Sequence, residues 1–477
     1  MRVVFAYLPT EREEFLCLSQ NRFSKFRGDC ELIYPVIPAS GLTLLKSNKF
    51  EVFYIDSILE QLNTEKFIEK LKEINPDLLV YETKTPVVKS NWGIVKKIKR
   101  ILPEIKIAAC GDHVSVLPLE TMENSNVDFV ITGGDFDMGM LRLAEHLQDG
   151  KEMPKGFYYR ENKEIKNTGE YELVKDLDYL PFIDREVIPW EKYHEGWTLK
   201  KRFMYMMGSR GCAYRCSFCS WPAMLFKYKL RMRSVSKVLD EMEILVNKYK
   251  VEEIFFDDDT FTCNKKWVMD FCKGVVDREI KVLWSCNGRV DNTDEEMLIA
   301  MKKANCRLIK YGIESANQKT LDRINKGYTI EQIKEAFMLS KKIGILRHGT
   351  VMVGYPWESK EDMEKTIKFV KSLDVDTVQF SIPIVYPGTK LFKEAEEKNW
   401  LRFGKNWEKY DMSEPSLRHS ELSSEEIVKL CQDGWKKVYF QPKFMFRKLL
   451  ALKNIDQLKW TFRGVKTVFN DIWAIGK

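Results

Sequence analysis

The sequence predicts an α/β protein: a doubly wound parallel sheet, then a six-unit βα part-barrel, then a mainly helical extension. Three observations carry this. Apolar runs of strand length alternate with amphipathic helical stretches in residues 1–150, and again in residues 201–395. Such alternation marks parallel strands joined by crossover helices. The alternation stops after residue 395, and at 477 residues the chain is too long for one core.

In the first region the apolar runs fall at residues 3–7, 52–55, 78–81, 105–109 and 129–132, with helical patterns at 65–74, 91–102 and 138–148. This reads as a Rossmann-like layer. Doubly wound sheets bind ligands outside the carboxyl ends of their strands, here the loops at 35–41, 110–118 and 133–136. Residues 151–200 read as a linker. It holds a hairpin over 156–166 and a stretch, 176–189, with Pro181, Pro189 and no clear period. From 201 to 395 the runs fall at 203–207, 254–256, 282–284, 308–313, 350–353 and 378–382, with helical patterns at 234–249, 265–276, 294–303, 330–343 and 360–373. Six such units make a partial TIM barrel, with its active site at the carboxyl strand ends. Residues 396–477 form the last region.

The bulk numbers exclude several classes. Apolar residues are 44% and charged residues 31%, the composition of a folded, soluble chain. The net charge of +7 is mild and does not by itself imply nucleic acid. Eleven irregularly placed cysteines do not form a disulfide framework, which favours a reducing cytoplasm. The N-terminus lacks a signal peptide's apolar region, and no stretch of 18 uncharged apolar residues predicts a membrane span.

The strongest motif is Gly211-Cys212-Ala213-Tyr214-Arg215-Cys216-Ser217-Phe218-Cys219. A loop of that length can wrap a cubane and give one sulfur to each of three irons, leaving the fourth iron open. It follows the first part-barrel strand, where catalytic groups of such folds sit. A structural zinc would need a fourth Cys or His nearby, and the next are Cys263 and His348. Cys212, Cys216 and Cys219 are therefore the candidate metal ligands and catalytic centre.

This nonapeptide resembles the signature of the radical S-adenosylmethionine (SAM) superfamily, with Phe218 at its aromatic position. The resemblance implies a [4Fe–4S] cluster whose open iron binds SAM. It also implies a 5′-deoxyadenosyl radical that takes hydrogen from substrate, and a reductant such as ferredoxin or flavodoxin. It continues along the strand ends. Phe255-Phe256-Asp257-Asp258-Asp259-Thr260-Phe261 looks like the segment that meets the SAM amino group, which implies Asp258 and Asp259; a magnesium site or a solvated strand end is the alternative. Trp284-Ser285-Cys286-Asn287-Gly288-Arg289 resembles the third strand end, with Ser285 and Arg289 placed for the SAM carboxylate, or an ordinary turn. Gly312-Ile313-Glu314-Ser315 resembles the fourth, with Glu314 on the ribose hydroxyls, or a helix cap. Val353-Gly354-Tyr355-Pro356 and Tyr386-Pro387-Gly388-Thr389 resemble the fifth and sixth, with Gly354 close to the adenine.

A doubly wound domain ahead of such a core resembles the cobalamin-dependent branch of the superfamily. The matching pieces are Ser40-Gly41-Leu42, Gly111-Asp112-His113 and Thr132-Gly133-Gly134, which imply Gly41, Gly111, His113 and Gly133 near a corrin over residues 1–150. None of the five histidines has Asp two places before it, so a histidine below the cobalt is not expected. A purely structural layer is the alternative. Dinucleotide binding is disfavoured, because no Gly-x-Gly-x-x-Gly follows residues 3–7. The branch implies methylation of an unactivated carbon on a small molecule or lipid. Cyclisation, ring contraction or oxidation of a lipid or tetrapyrrole is the runner-up, and a non-catalytic iron–sulfur redox sensor is a different class.

Residues 435–477 carry ten Lys or Arg against two Asp, with interleaved Trp, Phe and Tyr. Such a segment can lie on an anionic membrane surface or pack on the barrel with a solvated basic face. Ser220-Trp221-Pro222 and this tail resemble hopanoid- and isoprenoid-modifying members of the branch. No nucleic-acid partner is expected.

Overall fold

The computed structural model describes residues 1–10, 32–195, 197–442 and 444–446. The first sheet is built from β1 (Arg2–Tyr7), β2 (Glu51–Asp56), β3 (Leu78–Glu82), β4 (Lys106–Cys110), β5 (Phe129–Ile131), β6 (Phe157–Glu161) and β7 (Glu164–Asn167). Their order is β2-β1-β3-β4-β5-β6-β7, parallel through β5 and antiparallel for the last two. Strict alternation along β1 and β3 assigns the two faces. Val3, Phe5, Leu78 and Val80 belong to one core, and Val4, Ala6, Leu79 and Tyr81 to the other.

The helices of this layer are α1 (Val36–Ser47), α2 (Thr64–Ile74), α3 (Val88–Ile101), α4 (Asp112–Val116), α5 (Pro118–Asn124) and α6 (Phe136–Asp149). α2 begins where Asn63 caps the Lys66 amide and ends on Asn75 in the left-handed region. Two sequence expectations are corrected here. Residues 35–41 are not a ligand loop: from Val36 they are the first turns of α1, and a Cβ at Gly41 would press on Met140 of α6. Residues 110–118 likewise contain α4 and the start of α5. The hairpin of the expected linker does not stand apart, because β6 pairs with β5 and extends the sheet.

The second sheet joins β8 (Phe203–Met206), β11 (Glu253–Phe256), β12 (Leu283–Gly288), β13 (Cys306–Glu314), β14 (Leu346–Met352) and β15 (Thr377–Ser381), all parallel and in chain order. A two-strand ribbon, β9 (Ser209–Arg210) with β10 (Arg231–Met232), flanks the cysteine loop. The helices are α7 (Ser220–Met224), α8 (Val235–Asn247), α9 (Lys265–Asp277), α10 (Glu295–Lys303), α11 (Gln318–Arg323), α12 (Ile330–Ile343), α13 (Lys360–Ser372), α14 (Lys390–Glu397) and α15 (Ser424–Tyr439). Capping boxes at Thr329/Gln332, Ser359/Asp362 and Ser423/Glu426 start three of them. Trp284, Phe256, Phe261 and Phe271 pack edge-on or tilted between strand and helix.

One core runs through both sheets, from Phe5 and α1 to the barrel strands. A network of buried charges ties them as well. Arg210 of β9 donates to Asp135 (3.0 Å) and to both oxygens of Asp137 (3.0 and 2.6 Å) at the start of α6. Arg231 also binds Asp135, and Ser40 of α1 donates to Asp137 (2.7 Å). Arg210 stands two residues before Cys212, so these pairs seat the cysteine loop on the first sheet.

The described part of the basic tail packs on the barrel. Trp435 Nε1 donates to the Phe380 carbonyl (3.0 Å), and the Tyr439 hydroxyl meets both the amide and the carbonyl of Val378. Phe440, Met445 and Phe446 remain exposed. Residues 443 and 447–477, on which the surface-binding expectation mostly rests, lie outside the described residues, as do Cys17 and Cys30. Among the described residues no helix is long and apolar enough to cross a membrane.

Candidate active site around the three cysteines

The cysteine loop leaves β8 over a pinned turn. Asp258, at the end of β11, accepts from the Gly208 amide (3.0 Å) and the Ser209 hydroxyl (2.5 Å). Burial pushes its carboxyl up to about 7. Gly211 then takes φ +83°, where a side chain would also strike the Lys229 carbonyl, so glycine is required. The far side of the loop is clamped: Ser217 N donates to Ile324 O, and Leu391 N to Ser217 O (both 2.9 Å).

Cys212 and Cys216 are buried, Cys219 is half-buried, and all three are free thiols. Cys212 Sγ lies 3.5 Å from Thr260 Oγ1 and Cys216 Sγ 3.9 Å from Arg289 Nη1. Burial, then the other cysteines and Asp259, holds the Cys219 thiol well above its usual range, and burial raises Cys212 too. Thiolates crowded here need cationic iron to persist, so the donor set fits a cluster. Among the described residues no three His, Cys, Asp or Glu side chains converge as the ligands of a single ion. A cubane asks for less, since each thiolate meets its own iron.

The remaining strand ends surround this loop. Glu314 closes β13 at φ +59°, after a register shift beyond Gly312. A Cβ on Gly312 would collide with the Glu314 carboxylate, so glycine lets this side chain fold back. Its Oε1 pairs with Lys326 Nζ at 2.7 Å, whereas Oε2 is buried without a hydrogen-bond partner among the described residues. Ser285 Oγ, wholly buried on β12, is also unpartnered among them. Such orphaned atoms suit the hydroxyls and polar ends of a bound nucleoside. Phe218 is half-buried below Lys326, whose Nζ is 5.5 Å from the ring centre. Asp259 is half-buried and close enough to raise Cys212 and Cys219 electrostatically.

Other expected residues are placed differently. Both Asp258 oxygens are engaged in the turn just described. Arg289 is bound to Asp291 (3.0 and 2.9 Å). Gly354, at φ +113°, has Ile427 of α15 where a Cβ would stand. Gly111 sits at φ +114° against the Thr83 carbonyl, Gly133 against the Tyr171 ring and Gly41 inside a helix pair, so a side chain at any of them would clash. His113 is not a loop residue. It is buried in α4, with Nδ1 3.2 Å from Thr85 Oγ1, Nε2 3.5 Å from Glu120 and its ring edge-on to Trp407. Burial lowers its pKa and favours the neutral ring.

Sequence reasoning missed Lys326, Thr260, Arg210 and Glu358. Glu358 accepts from Ser315 (2.7 Å), and burial pushes it up to about 7. Thr260 lies inside the second-strand segment, where it was given no role; Lys326, Arg210 and Glu358 come from segments with no motif of their own. Only the adjacency of Arg210 to the cysteine loop was a usable signal.

Three thiolates leave one iron of a cubane open for a chelating molecule. A parallel part-barrel that presents such a loop at its first strand end is the fold of the radical SAM superfamily, whose model matches residues 206–370. The protein is a radical SAM enzyme, and its superfamily brings a [4Fe–4S] cluster and SAM as cofactors. The chain belongs to one family with an uncharacterized methyltransferase of Pyrococcus horikoshii, which is 31% identical over 91% of this chain and 94% of that one. It is also 27% identical to the anaerobic magnesium-protoporphyrin IX monomethyl ester cyclase of Rubrivivax gelatinosus, over 83% of this chain and 71% of that one. Its fold is that of the radical SAM methyltransferase TsrM from Kitasatospora setae, solved with cobalamin and cluster bound, at TM-score 0.70, 16% identity and coverage of 98% and 99%. The cobalamin-dependent SAM radical enzyme OxsB is similarly alike, at TM-score 0.72, 16% identity and coverage of 98% and 72%.

Replacing Glu314 by Gln keeps the shape and removes the charge; replacing it by Ala also removes the acceptors. If Oε2 receives the ribose hydroxyls, Glu314→Ala is expected to weaken SAM binding by about 1–3 kcal/mol, with Glu314→Gln losing less. Equilibrium dialysis of cluster-loaded protein measures this. Equal affinity in all three proteins would leave Glu314 as the partner of Lys326 alone.

Proposed function

We propose that this enzyme methylates an unactivated carbon of a small-molecule substrate, using cobalamin together with the cluster and SAM. The observation that carries this reading is the meeting of the two sheets at their carboxyl edges. Lys84, just beyond β3, lies 5.7 Å from the Trp221 ring in α7, and the Gly134 amide donates to the Leu225 carbonyl (2.9 Å). The carboxyl edge of the first sheet therefore abuts the helix that follows Cys219. Ser220 Oγ, in that helix, is buried without a hydrogen-bond partner among the described residues. It suits the amide-fringed edge of a corrin. Glu82, Lys84 and Asp112 add a buried polar cluster at the same edge.

Bound here, the cluster and SAM supply an electron and a radical able to take hydrogen from carbon, and cobalamin supplies a methyl group. The chain's own part is placement. Cys212, Cys216 and Cys219 hold the irons, Glu314 receives the ribose hydroxyls of SAM, Ser285 its carboxylate and Asp259 its amino group. The Arg210–Asp137 pair fixes the cluster loop against the first sheet. His113, buried and engaged, is not a cobalt ligand in this reading. The names of the Pyrococcus and TsrM proteins support methyl transfer, and the cyclase relative favours a second reading, oxidative ring formation on a tetrapyrrole.

The test incubates reduced, cluster-loaded full chain and hydroxocobalamin with methyl-labelled SAM and cell extract, followed by mass spectrometry. A labelled product is expected, and His113→Ala is expected to leave the cobalamin spectrum nearly unchanged. 5′-Deoxyadenosine with an unlabelled, oxidised product would select the cyclase reading. Failure of the intact protein to bind cobalamin would reduce the first sheet to a structural layer. A lipid substrate reached through residues 435–477 is a narrower form of the proposal. Sedimentation with anionic vesicles at low salt, lost at high salt, supports it.

A further inference from the structure

Arg289 is buried at the end of β12, and its donors are nearly all placed. Nε and Nη2 bind the two oxygens of Asp291 (3.0 and 2.9 Å), and Nη2 also donates to the Lys326 carbonyl (2.6 Å). Its flat face lies 3.6 Å from the centre of the Tyr214 ring and 5.0 Å from that of Tyr328. Tyr214 belongs to the cysteine loop itself, between Cys212 and Cys216, and its hydroxyl is held by Asn292 (2.7 Å). What remains is Nη1, which stands 3.9 Å from Cys216 Sγ, within reach of a hydrogen bond to sulfur. Burial works against the charge, but Asp291 more than offsets it, so the guanidinium stays protonated.

This geometry leaves little of Arg289 for a SAM carboxylate. We propose instead that Arg289 tunes the cluster, by donating to the Cys216 sulfur and raising the potential at which the cluster is reduced. The inference rests on the reading that the three cysteines hold a [4Fe–4S] cluster. Hydrogen bonds and positive charge at the sulfurs of such clusters favour the state with more negative charge. Here that state is reached when the cluster passes from 2+ to 1+ by taking one electron from a low-potential one-electron donor. No bond forms or breaks, and no proton moves. Lys326 also lies within electrostatic reach of Cys216 and Cys219, but its charge is paired with Glu314. Stacking on Tyr214 makes Arg289 a fixed donor rather than a swinging one, so each copy of the protein presents the same field to the cluster.

The experiment is a dithionite-poised redox titration of the cluster-loaded, SAM-free full chain, followed by EPR of the reduced cluster. Iron and sulfide content serve as the loading control. Arg289→Gln is expected to cut the reduced-to-oxidised ratio at fixed poise at least tenfold, which is about 59 mV downward for a one-electron couple. Arg289→Lys keeps a cation but loses the fork, and is expected to shift the same way by less. A loaded Arg289→Gln protein with the wild-type potential would overturn the proposal, the more so if its SAM affinity had dropped, since Arg289 would then be the carboxylate partner. If Arg289→Gln does not load, Arg289→Lys decides, and an unshifted potential there overturns it. A wild-type protein that takes up no cluster would instead sink the cysteine reading beneath it.

Discussion

Changing Cys212, Cys216 and Cys219 together to alanine is expected to abolish cluster binding while leaving the fold in place. Anaerobically reconstituted wild-type protein should hold about four irons and four sulfides, since three thiolates suffice to anchor a cubane with one open iron. The triple variant should bind none, and should lose the visible absorbance and the EPR signal of the reduced cluster. Its fold should persist because the loop is held by other contacts. These are the Asp258 clamp on Gly208 and Ser209, the Ser217 amide on Ile324, and the Leu391 amide on Ser217. Circular dichroism of wild-type and variant apoproteins checks that. A full cluster in the triple variant would remove the assignment; the other described cysteines, such as Cys263 and Cys286, would then be the ligands to search for.

Replacing Arg210 by Met is expected to cost about 3–5 kcal/mol of stability, the usual effect of stripping one partner from a buried ion pair. Arg210 and Asp137 are both almost wholly buried. Without the guanidinium, Asp137 keeps Ser40 and the Met138 amide but no cation, while Asp135 still has Arg231. The penalty therefore falls mainly on Asp137. Adding Asp137→Leu to Arg210→Met should recover part of the loss, because two apolar groups replace an orphaned charge. Denaturation midpoints of the two variants against wild type measure this. A midpoint for Arg210→Met within error of wild type would show that the carboxylates find water or another cation, and that the network does not hold the sheets together.

Nearly every parallel strand was legible, because a buried strand writes an apolar run and its crossover helix writes a 3.6-residue period into contiguous residues. β13 and α12, with its Thr329/Gln332 box, are examples. α1 was not legible. Residues Val36–Ser47 are apolar on nearly all sides, since the helix is covered by α6, the first sheet and the segment before the barrel, so it shows no polar face. Its Pro38 and Gly41 read as loop residues, although proline is tolerated in a first turn and Gly41 admits Met140.

The cysteine loop was legible in the sequence alone, because its three candidate ligands lie within eight residues and their spacing is itself the signal. The same is true of the Gly312–Glu314 turn, where a glycine and the acid it accommodates are two residues apart. What only the tertiary structure decided is which group each of these meets. Arg289 faces Cys216 across 73 residues, Lys326 meets Glu314 across 12, and Arg210 grips Asp137 across 73. Local sequence records the period and the turn chemistry of a segment. It does not record the partner that a polar side chain finds once burial has removed water as the alternative.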